Sequence, residues 1–186
     1  GVRLHNAVIR NCFKDLAGDQ QFDASDIKLV LDFDPVFAYE DAVIDGPALF
    51  FGTLGQSAFL DEIIEVNKLD VSKIRGKREV YGFYVVENKI IVVGSDKRGT
   101  IYGLFHLSEL MGVSPLVDWA DVLPAKKEVF ELKNQSFVSK EPSVRFRGFF
   151  INDEWPATGN WCNKRFGGFN TKMYEHVFEL LLRMKG

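Results

Sequence analysis

The stretch KIIVVGSDKRGTIYGLFHLSELMG, residues 89–112, decides how the first part of the chain folds. It opens with an apolar run over residues 89–93 that predicts a buried strand. A polar loop bounded by glycines follows, from Gly94 to Thr100. Apolar residues then recur at helical spacing as far as Met111, which predicts a helix that Gly112 is placed to end.

Working outward, the N-terminal side predicts the partners of this strand and helix. A strand over residues 79–86 is expected to join it through a hairpin turn at Glu87–Asn88. Residues 48–53 predict a buried strand, and a helix capped by Ser57 follows it. Residues 6–17 predict a further helix and residues 27–33 a strand interrupted by Asp32, Asp34 and Pro35. The expected fold is α/β, an α+β domain in which helices pack on a small mixed sheet.

The pattern of predicted elements changes near residue 139. Residues 139–142 are typical of a linker, residues 143–151 predict a strand, and residues 152–169 predict a long loop. A helix is expected from Asn170 or Thr171, with one apolar stripe formed by Met173, Val177, Leu180, Leu181 and Met184. A single strand–loop–helix unit cannot cover both faces of its strand, so we expect a truncated domain. We therefore divide the chain into residues 1–138 and 139–186.

Composition excludes several classes of function. Among 186 residues 46% are hydrophobic and 26% charged, which is typical of a globular protein. The net charge of −3 comes without a dense Lys/Arg cluster, so no nucleic-acid partner is expected. No run of 18 apolar residues predicts a membrane span. Cys12 and Cys162 form no Cys-x-x-Cys pair and the three histidines are scattered, so no metal site is expected.

The segment Asn152-Asp153-Glu154-Trp155-Pro156 is the best candidate for chemistry. It follows the predicted strand, and functional groups gather at the carboxyl ends of strands in parallel α/β folds. Two acids, an amide and an indole suit a sugar site, although acids in this position often only cap a helix or face solvent. If the segment is extended, Asp153 and Glu154 point to opposite sides. At least one catalytic partner would then come from elsewhere, because glycosidases need two carboxyls at a set separation.

Two other features leave alternatives open. Trp161, Lys164 and Arg165 in the same loop suit a uronate, since a guanidinium matches a carboxylate, but such cations are more often surface charges. The Gly94–Thr100 loop lies between a strand and a helix, where phosphates bind, yet it lacks the Gly-Lys-Ser/Thr ending of a P-loop. A turn in which Asp96 and Arg98 bond the backbone explains this loop better.

Three stretches together resemble glycoside hydrolase family 115. They are Gly76–Glu79; Val93–Gly103 with Leu107–Pro115; and the residues Glu141–Val144, Arg147–Gly148, Ile151–Pro156, Phe166–Asn170 and Tyr174–Arg183. The resemblance covers residues 76–186. It implies an enzyme that removes glucuronic acid or its 4-O-methyl ether from xylan, inverting the anomeric centre without a cofactor.

The resemblance also implies an architecture and roles for particular residues. Residues 1–138 would be a non-catalytic N-terminal domain, and residues 139–186 the first strand, loop and helix of a truncated (β/α)₈ barrel. Asp153 becomes the candidate catalytic residue and Glu154 a weaker one. The candidates for substrate binding are Asn152, Trp155, Trp161 and Trp119. The general acid would lie downstream, the fragment alone would be inactive, and the enzyme would be secreted or periplasmic.

One departure from the family pattern concerns substrate preference. An aromatic-rich run is expected before Trp119-Ala120-Asp121-Val122, but Leu116, Val117 and Asp118 stand there. The alternative hypothesis is a non-catalytic module that binds carbohydrate or another partner. That module would be a self-contained fold. An isolated barrel start would instead leave the apolar stripe of the last helix exposed, so we expect the chain to form a homodimer or residues 143–186 to pack back on the N-terminal domain.

Overall fold

The computed structural model describes residues 2–4, 8–11, 36–37, 46–132 and 136–186. The chain divides into two compact units, Gly1–Ser143 and Val144–Gly186. The strand predicted at residues 27–33 lies outside the described residues. The roles assigned above to the two parts of the chain, a non-catalytic domain and the start of a barrel, stay predictions.

The first unit is built on a mixed β-sheet, as predicted. Its six strands are β2 (Val8–Asn11), β3 (Val36–Phe37), β4 (Ala48–Thr53), β5 (Tyr81–Val86), β6 (Lys89–Gly94) and β8 (Phe137–Val138). They pair in the order β3-β2-β4-β6-β5-β8. The pairs β2/β3, β2/β4 and β4/β6 are parallel, and the pairs β5/β6 and β5/β8 are antiparallel. Strands β1 (Val2–Leu4) and β7 (Phe130–Leu132) form a separate antiparallel pair.

Strands β4, β5 and β6 bury side chains on both faces of the sheet, since successive residues of a strand point to opposite faces and nearly all of theirs are buried. Leu49 and Phe51 of β4 belong to one apolar cluster, whereas Ala48 and Phe50 belong to another. Helix α2 (Lys97–Met111) contributes Leu104, Leu107 and Met111 to the first cluster. Helix α1 (Ala58–Val66) contributes Leu60 and Ile64 to the second.

Three local signals in the sequence have the predicted structural effect. The Ser57 hydroxyl accepts a hydrogen bond from the Leu60 N–H at 3.3 Å and caps α1. Gly112 ends α2 with a left-handed backbone, φ 100°, a conformation that favours glycine. Glu87 and Asn88 form the turn between β5 and β6.

The helix predicted at residues 6–17 is wrong where the structure describes that range. Residues 8–11 form strand β2, which pairs in parallel with β3 and β4. Two β-branched residues, Val8 and Ile9, open this strand, and they favour a pleated backbone. The pairing partners lie far along the chain, so helical spacing of a few apolar residues did not reveal them.

The second unit contains two helices, α3 (Ala157–Phe166) and α4 (Thr171–Arg183). Helix α4 begins where predicted, with the Asn170 side chain accepting from the Met173 N–H at 3.2 Å. The prediction of a loop over residues 152–169 is wrong, because α3 occupies its centre. This helix escaped prediction because its cap, Pro156, makes no side-chain hydrogen bond and its residues include Gly159, Asn160 and Asn163.

Residues 143–151 carry no strand, contrary to prediction. A strand needs a partner for its ladder hydrogen bonds, and this segment pairs with no other described segment. Phe146 and Phe150 are 83% and 86% exposed. The Arg147 guanidinium donates to the Lys185 carbonyl at 2.9 Å and 3.0 Å, so the segment is attached to the end of α4.

The apolar stripe of α4 is largely buried, against the expectation that it would be exposed. Met173, Val177 and Leu180 are buried, whereas Met184, at the end of the helix, is exposed. The exposed apolar side chains of this helix instead lie elsewhere, at Tyr174 and Phe178. Within the described residues, no helix is long and apolar enough to cross a membrane.

Candidate functional site

The candidate segment keeps its polar groups at the surface. The Asn152 amide donates a hydrogen bond to the Glu154 carboxylate, with Nδ2 and Oε1 2.8 Å apart. This contact places the two side chains together. Asp153, between them, is exposed and has no hydrogen-bond or ion-pair partner among the residues that the structure describes.

Trp155 follows this pair and is 61% exposed. Its peptide bond to Pro156 is cis. The N–H of Gly159, in the first turn of α3, donates to the Glu154 carbonyl at 3.0 Å. A single helical turn therefore fixes the backbone at the end of the candidate segment.

Trp161 lies on α3 in an aromatic cluster that the sequence did not reveal. Its ring meets that of Phe166 edge-on, with centroids 5.3 Å apart, and Phe166 meets the His176 ring of α4 at 5.2 Å. The Arg165 guanidinium lies 5.7 Å from the centroids of both Trp161 and Phe166. A cation over an aromatic ring is attracted to it, so Arg165 is held beside Trp161.

Helix α3 presents its cations and buries its thiol. Lys164 and Arg165 lie exposed in its last turn, where positive charge favours the helix dipole. Cys162 is buried on this helix rather than in a polar loop as predicted, and burial raises the pKa of its thiol. A thiol with a raised pKa is a poor nucleophile, and its role here is packing.

Trp119 belongs to the first unit, in a turn that follows α2. It is half-buried, and its backbone N–H donates to the Leu116 carbonyl at 2.9 Å. Its role in substrate binding stays a prediction, as do those of Asn152, Trp155 and Trp161.

The Gly94–Thr100 loop uses its polar groups internally. Asp96 Oδ1 accepts from the Gly99 N–H at 2.8 Å, and Oδ2 accepts from the Glu79 N–H at 2.7 Å. The Thr100 N–H donates to the Asp96 carbonyl at 3.0 Å. These N–H groups are therefore occupied, and a carboxylate already stands where a phosphate would bind.

The same loop is closely packed. The Thr100 hydroxyl contacts the Thr53 hydroxyl at 2.9 Å and donates to the Gly52 carbonyl at 3.1 Å. A side chain on Gly99 would collide with the Val80 carbonyl oxygen, and one on Gly94 with the backbone of Thr100. Both glycines are thus required for the close approach of backbone segments. Arg98 forms an ion pair with Glu79 at 3.5 Å.

No group of three or more His, Cys, Asp or Glu side chains in the described parts of the chain is arranged to hold a metal ion. The chemistry available at residues 152–155 is that of carboxylates, an amide and an aromatic ring. An amide and an aromatic face can bind a sugar ring, and a carboxylate is a group that can transfer a proton.

Comparison with known proteins connects this segment to one family. Residues 139–186 match the model of glycosyl hydrolase family 115. Over its whole length the chain is 30% identical to a solved family GH115 4-O-methyl-α-glucuronidase, BtGH115A, with specificity for decorated arabinogalactans, at a TM-score of 0.81. The predicted resemblance to glycoside hydrolase family 115 is confirmed. The chain spans 25% of the length of that family 115 enzyme.

A second solved structure shares the fold alone. CpGH84D is 15% identical over an alignment that covers 80% of this chain and 22% of that protein, with a TM-score of 0.52. No curated protein matches the sequence. The likeness to family 115 therefore rests on the matched segment and on the 4-O-methyl-α-glucuronidase.

Proposed function

We propose that this chain is part of a family 115 glycoside hydrolase that removes glucuronic acid or its 4-O-methyl ether from the side chains of xylan. The observation that carries the proposal is the exposure of the Asp153 side chain. Its carboxylate is exposed and without a partner among the described residues, beside the Asn152–Glu154 pair and an exposed indole. All four residues lie inside the segment that matches the family model.

In this proposal Asp153 takes part in catalysis, with Glu154 as the weaker candidate. The hydrogen bond to Asn152 occupies one oxygen of Glu154, which favours Asp153 for the chemical step. Asn152, Trp155, Trp161 and Trp119 bind the substrate, the indoles by stacking on sugar rings and the amide by hydrogen bonding. Hydrolysis inverts the anomeric centre, which requires a second carboxyl about 6.5–9.5 Å from the first.

The second carboxyl would come from a part of the enzyme beyond these 186 residues, and the chain alone would be inactive. Residues 139–186 would then be the first strand, loop and helix of a (β/α)₈ barrel, and residues 1–138 a non-catalytic domain. Residues 143–151 would gain strand pairing from the neighbouring strands of that barrel. No cofactor takes part, and the enzyme acts outside the cytoplasm, where its polysaccharide is found.

The identity of the polysaccharide is a separate part of the proposal. BtGH115A prefers decorated arabinogalactans, whereas the sequence resemblance points to glucuronoxylan. Both carry uronic acid side chains, so the same Asp153 would act on either.

The test is uronic acid release by the longest natural polypeptide that contains this chain, offered glucuronoxylan and decorated arabinogalactan in parallel. We expect Asp153→Asn to lower kcat by at least about 100-fold with the fold intact, the scale of a lost acid–base group. Glu175→Gln is the matched control, because it removes an exposed acid of the same unit on α4. NMR of the released sugar identifies the first anomer formed and so tests inversion.

Two results would overturn the proposal. Equal activity of Asp153→Asn and wild type would remove Asp153 from catalysis. Failure to release uronic acid from either polysaccharide, with oligosaccharide binding retained, would favour the non-catalytic binding module.

The predicted homodimer is tested independently. Because most of the α4 stripe is buried, the apolar surface available for association is instead formed by the exposed side chains of Phe146, Phe150 and Phe178. Light scattering on the 186-residue chain that gives a monomer mass across a concentration series would exclude a homodimer.

A further inference from the structure

Gly159 has a contact that no other residue type could make. An ideal Cβ built at this position would lie 2.6 Å from Cδ2 and from Cε2 of Trp155, and 3.0 Å from its Nε1. Real side chains do not approach so closely. The indole of Trp155 thus rests on the backbone of α3 at the place where a side chain is missing.

The contact involves the face of the indole rather than its edge. Cδ2 and Cε2 are the two carbons shared by the five- and six-membered rings, in the interior of the outline of the indole. A group that reached the ring edge-on would meet peripheral atoms first. One face of Trp155 is therefore packed on Gly159, while the side chain as a whole stays 61% exposed.

The same glycine also anchors the neighbouring residue. Its N–H donates to the Glu154 carbonyl at 3.0 Å, and the Glu154 carboxylate accepts from Asn152 at 2.8 Å. The first turn of α3 is thus hydrogen-bonded to the backbone of Glu154 and packed against the indole of Trp155. Because Gly159 lies in a helix, its small size explains its presence better than backbone freedom does.

We propose that Gly159 is a positioning residue that holds the indole of Trp155 as a platform on which a sugar ring of a uronic-acid-substituted oligosaccharide stacks. This inference rests on the proposed function, since the ligand is the substrate of the same site. Its new element is that a residue without a side chain sets the orientation of the platform. An aromatic face held in advance loses little conformational freedom when a ligand binds.

The variant that tests the inference is Gly159→Ala, with Asn160→Ala as the matched control on the next residue of the helix. Alanine favours a helix more than glycine or asparagine does, so both variants are expected to keep α3. The added methyl group of Gly159→Ala must displace the indole, whereas Asn160 is exposed and its Cβ already exists.

The first measurement needs no substrate. The 186-residue chain labelled with 5-fluorotryptophan gives one ¹⁹F NMR signal for each of its three tryptophans. We expect Gly159→Ala to shift the Trp155 signal and leave those of Trp119 and Trp161 in place, which also shows that the fold is intact. Asn160→Ala is expected to move none of them.

The second measurement is steady-state uronic acid release by the longest natural polypeptide. We expect Gly159→Ala to raise KM about fivefold to tenfold with kcat little changed, because a stacking contact binds ground state and transition state alike. Trp155→Ala should have an effect of the same kind. The double variant should be no worse than Trp155→Ala alone, since Gly159 acts through the indole.

Failure of this inference can be distinguished from failure of the proposed function. An unmoved Trp155 signal in Gly159→Ala overturns the positioning role, whatever the enzyme does. A moved signal with unchanged KM overturns the platform. If the wild type releases no uronic acid, the labelled wild-type chain is titrated with glucuronoxylan oligosaccharides. A shift of the Trp155 signal on adding oligosaccharide, smaller in Gly159→Ala than in wild type, supports the platform. No shift in the wild type overturns it.

Discussion

Asp96 and Asp153 each lie within three residues of the end of an apolar run, and their surroundings are opposite. Asp96 is half-buried, and each of its carboxylate oxygens accepts a backbone N–H, from Gly99 and from Glu79. Asp153 is exposed, and no group in the described residues is bonded to it. An acid whose oxygens are already engaged stabilises the fold, whereas one left open to solvent is available for a substrate. The position of an acid after an apolar segment does not distinguish the two.

The largest effect on stability is expected where the Asp96 loop is most closely packed. Gly99→Ala would push a methyl group into the Val80 carbonyl oxygen, and relief requires a backbone shift. We expect a loss of about 1–3 kcal/mol in the free energy of unfolding of the first unit. Urea unfolding followed by the fluorescence of Trp119, with Trp155 and Trp161 replaced by Phe, reports on that unit.

Gly148→Ala is the matched control in the second unit. Its added methyl group would lie 3.8 Å from Leu181, an ordinary contact, so little change is expected. Equal unfolding midpoints for the wild type and Gly99→Ala would show that the loop adapts without cost, and the contrast between the two regions would lose its basis.

Asp96→Ala is expected to have the next largest effect. It leaves two N–H groups without their acceptor, one at the start of α2 and one at Glu79. Loss of such a cap typically costs about 1–2 kcal/mol. Asp96→Asn keeps one acceptor oxygen and should fall between Asp96→Ala and the wild type. The same urea experiment ranks the three proteins, and an unaffected Asp96→Ala would contradict the ranking.

Glu141 provides an intermediate case. It is exposed, yet its carboxylate accepts from the Arg78 N–H at 3.0 Å and lies 3.5 Å from the Lys77 ammonium. The Arg78 N–H, followed by the charges of Lys77 and Arg78, lowers the pKa of Glu141 in the folded chain. Its contribution to stability is therefore present above its unfolded pKa and is lost as the pH falls through the folded value.

Glu141→Gln should consequently differ little from wild type in acid and be slightly less stable at neutral pH. Unfolding midpoints measured from about pH 7 down to about pH 3 would show the two curves converging as the carboxylate is protonated. Curves that stay parallel over this range would mean that Glu141 gains nothing from its partners.

The smallest effect on stability is expected at Asp153. Asp153→Asn removes a charge that no described residue uses, so the free energy of unfolding should stay within about 0.5 kcal/mol of wild type. The midpoint of thermal unfolding of the 186-residue chain measures this. A clearly more stable variant would strengthen the contrast between Asp153 and Asp96, because an acid that weakens the fold is retained for another purpose. A clearly less stable variant would mean that Asp153 stabilises the fold, as Asp96 does.

The elements that could be predicted from sequence are those set by neighbouring residues. Ser57, the Glu87–Asn88 turn, Gly112 and Asn170 each act within a few positions, and the structure confirms all four. The elements that depend on distant partners were wrong. Residues 8–11 became a strand through pairing with β3 and β4, and residues 143–151 lack the pairing that a strand requires.

The candidate site shows the same limit. Its residue types indicated a sugar ligand, but the sequence could not show which acid is engaged. The Asn152–Glu154 contact and the seat of Trp155 on Gly159 depend on the first turn of α3, a helix that was predicted as a loop. The spacing of four residues between Trp155 and Gly159 was the signal that could have suggested the contact.

The close packing of the Gly94–Thr100 loop has a consequence for comparing related proteins. Its glycines are fixed by collisions within the backbone, and its aspartate by two amide protons, so substitutions there are removed by selection for folding alone. A descendant that lost every trace of hydrolytic activity would still retain this signature. The loop is therefore explained by folding, and its presence gives no information on whether a protein that contains it cleaves a glycosidic bond.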